Sequence, residues 1–109
     1  MGKLVRDKIP DLIRASGRRP HVKTLKSRSY REALIAKLRE EVAELAAEQR
    51  SERVFAEAAD VLEVLAAIAA NHGGSLDTIV NVARRKRMER GGFDMRLWLD
   101  GVDPVEGGP

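Results

Sequence analysis

Four acidic residues stand at a spacing that suits a divalent cation: Glu41 with Glu44, and a little further on Glu57 with Asp60. Residues three apart on a helix have Cβ atoms roughly 5–6 Å apart, close enough for two carboxylates to share one metal or to bridge two. The second pair is the more telling. From Val54 to Ala70 the chain has no Lys or Arg, while Glu57, Asp60 and Glu63 sit among Ala, Val, Leu, Ile and Phe. Isolated carboxylates in such a setting are disfavoured, and the usual remedies are protonation, a salt bridge or a bound cation. The preceding segment offers no simple neutralisation, because it carries Glu41, Glu44 and Glu48 on one flank of its own apolar stripe. Antiparallel packing of the two segments as helices brings both pairs together, with a formal charge of about −4 that divalent cations would offset. All-oxygen ligands favour magnesium, with manganese as a substitute, over zinc. A metal held by carboxylates on one side and water on the other suits the phosphates of a nucleotide. Acids at this spacing are also common on solvated helices, so Glu40-Glu41-Val42-Ala43-Glu44 alone marks no more than a polar face. The apolar setting of Glu57 and Asp60 is what points to a site.

The elements that must position these residues can be read along the chain. Lys3 to Lys8 is an extended basic lead, and Pro10 suits the first turn of a short helix ending near Gly17. Arg18 to Ser27 forms a polar connection. From about Ser29 to Gln49, Leu34, Leu38, Val42 and Leu45 repeat at three and four, which predicts a first long helix. Ser51 is the expected N-cap of a second, running to about His72, where Gly73 and Gly74 stop it. On this helix Phe55, Ala58, Leu62, Leu65 and Ala69 make one apolar side, with Val64 and Ala67 near Glu57 and Asp60 on the other. The short link between the long helices predicts an antiparallel hairpin. Ser75 reads as the N-cap of a third helix to about Arg90, with Leu76, Ile79, Val80 and Ala83 as its apolar side and Gly91-Gly92 as its end. Phe93 to Leu99 alternates loosely, and the Gly- and Pro-rich tail Val102 to Pro109 is expected to be mobile. The prediction is an all-α fold over a single domain, 1–109: a helical hairpin bundle of one short and three longer helices, completed by oligomerisation because 109 residues bury little core alone.

Composition agrees. Four aromatic residues (Tyr30, Phe55, Phe93, Trp98) leave the core to Leu, Ile, Val and Ala. The chain has no cysteine, which excludes disulfides, thiolate metal sites and cysteine nucleophiles. Met1 to Pro10 does not read as a secretory signal, and Gly2 lacks the Ser or Thr at position 6 that myristoylation needs, since Arg6 stands there. Glu57, Asp60 and Glu63 interrupt the longest apolar stretch, so no membrane span is expected and a cytoplasmic location is. The net charge of +3 allows an anionic partner. Arg84-Arg85-Lys86-Arg87 and Arg90 concentrate that charge. Lys86 and Arg90, four apart, share a face that suits phosphates, although cations at a helix C-terminus are also favoured by the macrodipole. A rival reading makes Arg84 to Arg90 the basic face of a nucleic-acid- or partner-binding module, which leaves the acids without a purpose. His21 and His72 are too isolated for catalysis, and His72 is better placed to finish its helix.

With these residues in view, the chain resembles the MazG-like, all-alpha nucleoside triphosphate pyrophosphatase superfamily, which includes phosphoribosyl-ATP pyrophosphatases and dimeric dUTPases. Its hallmark is EExxE followed by ExxD on the next helix, and this chain has Glu40-Glu41-Val42-Ala43-Glu44 and then Glu57-Ala58-Ala59-Asp60. The opening Lys3-Leu4-Val5-Arg6-Asp7-Lys8-Ile9-Pro10 and the run Lys86-Arg87-Met88-Glu89-Arg90-Gly91-Gly92-Phe93 look like those of a compact subgroup, so the resemblance extends from Lys3 to about Leu99. It implies magnesium ligation by Glu41, Glu44, Glu57 and Asp60, with Glu41 and Glu40 in the catalytic group and Glu40 orienting water. It implies cleavage of a nucleotide between its alpha and beta phosphates to a monophosphate and pyrophosphate, often to remove unwanted nucleotides. It supports Lys86 and Arg90 as phosphate contacts and adds Lys3, Arg6 and Lys8, for which an interface role is equally expected. It implies a homodimer or homotetramer; nucleic acid is not an expected partner, because the acids of the second long helix would lie near its phosphate backbone. No base-stacking pocket is legible, and Trp98 fits a core or interface position better than a stacking one.

Overall fold

The computed structural model of the protein describes residues 2–105, and among them it is all-helical with no strand. The order is α1 (Ile9–Ala15), α2 (Ser27–Ala47), α3 (Ser51–Asn71) and α4 (Leu76–Arg90). Val102 to Val105 carry no regular structure, and the rest of the tail expected to be mobile lies outside the described residues.

Each boundary has a local cause. Pro10 sits in the first turn of α1, where its missing N–H has no intrahelical acceptor to lose. The helix closes at Gly17, whose φ of 86° favours glycine and whose N–H donates to the Arg14 carbonyl at 2.9 Å. α2 starts and stops two residues earlier than the apolar repeat suggests. Its end follows from Glu48, whose backbone is extended and whose carboxylate accepts the Arg50 N–H at 3.0 Å. That bond also corrects the cap expected of Ser51. Ser51 is already helical, and Arg50 holds the capping position with no side-chain cap. Ser75 does cap α4, its backbone N–H donating to Thr78 Oγ1 at 3.1 Å. His72 is the C-cap of α3, followed by Gly73 at φ 81°.

α2 and α3 pack against each other as a hairpin, and α4 packs on α3. Among the described residues the only buried apolar side chains are Leu34 on α2 and Val64 on α3. The face of α3 turned to α2 is therefore that of Glu57, Asp60, Val64 and Ala67. The broader apolar side remains outside, with Phe55 80% and Leu62 46% exposed, and α2 adds exposed Ile35 and Val42. Trp98 is 85% exposed in the segment after α4, beside exposed Phe93, Leu97 and Leu99, which removes the core position expected for it. The chain exposes 10189 Å², against about 6,000 Å² for a folded monomer of this mass. Its radius of gyration is 19.7 Å, where a compact domain of this length has about 13 Å.

Candidate metal centre

Glu41 and Glu44 lie on successive turns of α2, and Glu57 lies on the facing turn of α3. The hairpin brings them together so that one oxygen from each lies within 4.8 Å of the others. Glu41 is buried, Glu57 is half-buried and Glu44 is exposed, so the group sits at the mouth of the interface. Burial leaves two oxygens without a partner, Glu41 Oε2 and Glu57 Oε2. A buried carboxylate oxygen without a protein donor costs free energy, and a divalent cation would relieve it. Hard, all-oxygen donors with an open side fit magnesium or manganese.

Asp60 is not part of this trio. Its Oδ1 accepts from Arg6 Nη2 at 2.6 Å, a pair linking the N-terminal lead to α3. The expectation of an unneutralised four-acid cluster is thus corrected: the cation that α3 lacks in its own sequence arrives from 54 residues away. Glu41 Oε1 also has a cation, Lys37 Nζ at 3.2 Å, one turn earlier on α2. Lys37 reaches Glu40 Oε2 at 3.5 Å as well, and Lys3 lies 3.8 Å from Glu40 Oε1. Burial works against the Lys37 ammonium, but its hydrogen bond to Glu41 and the charges of Glu40 and Glu41 outweigh it and hold its pKa above the usual lysine value. Lys37 escaped the sequence reading, although its spacing of three and four from Glu40 and Glu41 was the available signal.

A cleft of about 520 Å³ opens beside the trio, between the N-terminal lead and the α2–α3 hairpin. Arg6, Lys37, Glu41 and Asp60 line it, together with Tyr30, Leu34 and Val64. Lys8 also lines it, whereas Lys3 sits over Glu40 outside the lining. Lys86 and Arg90 are not brought here. Lys86 lines a separate shallow depression with Ile79 and Val82, and Arg90 is the exposed last residue of α4.

The charge of Glu41, and next its hydrogen bond, raise the Glu44 pKa above its ordinary 4.5, with smaller contributions from desolvation and from Glu57 and Glu40. The folded chain therefore holds this proton more tightly than the unfolded chain. Ionised Glu44 opposes folding, an effect absent below the unfolded value and growing as pH rises through the folded one. Without divalent cations, Glu44→Gln is expected to melt above the parent protein at neutral pH, and the gap should close as pH falls into the carboxylate range. A thermal-melt series across pH checks this; a gap that widens on acidification would contradict it.

No protein-family model matches the chain, and no solved structure matches it. It is similar to a curated protein from Mycolicibacterium smegmatis, described as an uncharacterized protein, with 64% identity over 47 residues, 43% of this chain and 48% of the relative. The match thus spans about half the length of that relative, whose description carries no activity. Among the described residues no helix is long and apolar enough to cross a membrane.

Proposed function

We propose that this chain is a magnesium-dependent nucleotide pyrophosphohydrolase of the MazG-like type, cytoplasmic and assembled as a homodimer or homotetramer. The observation that carries the reading is the meeting of Glu41, Glu44 and Glu57 within 4.8 Å with two of their oxygens buried and unpartnered. Magnesium, or manganese in its place, would lower the pKa of a bound water there and offset charge on the phosphate oxygens. Glu41, Glu44 and Glu57 bind the ion in this proposal. Asp60, paired with Arg6 at 2.6 Å, would join them as a fourth ligand only by leaving that pair, which would release Arg6 for a phosphate oxygen. Glu40, held by Lys37 and Lys3, is placed to orient water. Within one chain the phosphate contacts fall to Arg6 and Lys37. A phosphate role for Lys86 and Arg90 requires α4 of a second protomer.

Assembly is supported by the exposed Phe55, Leu62, Ile35 and Val42 on the hairpin, since clustered exposed apolar side chains suit an association face. The rival reading, nucleic-acid binding through Arg84 to Arg90, gains only the exposure of α4 and gives no purpose to the buried carboxylates. Incubation with a panel of canonical and modified nucleoside triphosphates is the direct test. Equimolar monophosphate and pyrophosphate are expected from at least one of them, only with magnesium or manganese present. Release from none would defeat the reading.

A further inference from the structure

The cleft beside the carboxylates is amphipathic along its length. One end carries Glu41, Asp60, Arg6 and Lys37, and the other carries Tyr30, Leu34, Val64 and Ala67 with Glu63 beside them, while Asp7 and Lys8 line it from the lead. About 16 Å of helix rise separates Tyr30 from Glu41 on α2. Its volume of about 520 Å³ falls within the range of small-molecule sites. A ligand matching both ends has a phosphate-bearing head and a flat, weakly polar body. We propose that this cleft is the nucleoside subsite, holding the base and sugar of the substrate against Tyr30, Leu34 and Ala67 while its phosphates face Arg6 and Lys37.

The inference rests on the nucleotide reading above and adds the substrate's orientation and a specificity wall. A second copy of the chain is the poorer occupant. At 100° per residue Leu62 lies about 160° from Val64 on α3, so an assembly covering Phe55 and Leu62 leaves the cleft open. The cleft is also lined by three cations, Arg6, Lys8 and Lys37, and four carboxylates, Asp7, Glu41, Asp60 and Glu63, which an apolar partner surface would leave without water.

The wall is tested by Ala67→Trp, which fills the cleft, and by Tyr30→Ser, which removes its far end. Ala67 lies about 10 Å of helix rise from Asp60, so manganese affinity is expected to stay within twofold in both variants. Binding of a non-hydrolysable nucleoside triphosphate is expected to weaken at least tenfold, in keeping with the energy of base–aromatic stacking. Binding of inorganic tripolyphosphate, which has no base, should change little. Calorimetry with manganese present measures all three. If the parent protein binds nucleotide no more tightly than tripolyphosphate, or if neither variant weakens nucleotide binding, the subsite is overturned and the pyrophosphohydrolase reading stands. If the parent protein binds neither phosphate compound, the reading itself fails and takes the subsite with it. A variant that changes oligomeric state in light scattering while keeping nucleotide affinity would assign the cleft to the assembly and overturn the proposal.

Discussion

Replacing Glu41 with Gln is expected to abolish nucleotide hydrolysis while leaving the metal-free fold as stable as before, or more so. Both halves come from the same geometry. Glu41 is the one buried polar residue among those described, and it is the main source of the repulsion that raises Glu44. Neutralising it removes that repulsion in the metal-free chain, and Lys37 keeps Glu40 as a partner. The same change removes an anionic donor from the trio. Outer partners of metal ligands already contribute roughly 10–100-fold to affinity or activity, so a ligand itself should contribute at least as much. Linkage makes the loss visible without a turnover assay. An ion at a hundred times its dissociation constant stabilises by about 2.7 kcal/mol, which raises the melting temperature of a domain this size by on the order of ten degrees. The parent protein should show that rise with magnesium or manganese, and Glu41→Gln should show none. A full metal-dependent rise in the variant would remove Glu41 from the site.

The second large effect is expected at the opposite face of the hairpin. Polar substitution of an exposed side chain ordinarily shifts stability by within about 0.5 kcal/mol, and Phe55 and Leu62 are exposed in the single chain. If a second protomer covers them, the outcome differs. Because only 46% of Leu62 is exposed in the single chain, Leu62→Glu would forfeit about 0.7–1.5 kcal/mol of apolar burial per copy. A two-fold interface counts it twice, weakening the dimer by roughly one to two decades in Kd. Sedimentation of Leu62→Glu and Phe55→Ser should therefore show lighter species than the parent protein, with melting temperatures that depend more steeply on concentration. Unchanged mass in both variants would leave this face without a partner.

The helices were legible in the sequence because their causes are local. The three-and-four repeat of Leu34, Leu38, Val42 and Leu45, Pro10 in a first turn, Ser75 as a cap and glycines after α1, α3 and α4 each act within a few residues. The meeting of Glu41 and Glu44 with Glu57 was legible too, since a link of residues 48–50 leaves the two long helices little choice but to fold back. What lies beyond that range was not. The side of α3 that packs is not its most apolar one. A helical wheel ranks faces by hydrophobicity, whereas the hairpin selects the face opposite Leu34 and Glu41.

Tertiary structure alone decided how the charge is shared. No local pattern connects Arg6 with Asp60, because their pairing depends on where the lead crosses the hairpin. The cleft is likewise a gap between three segments, α2, α3 and the lead, and no one of them encodes it. Periodicity and capping chemistry thus determined the elements and the acidic pairs, since each is set by neighbours along the chain. The counterion of Asp60, the orphaned oxygens of Glu41 and Glu57 and the cleft beside Tyr30 had to await the fold, because burial and charge separation are properties of distances in space.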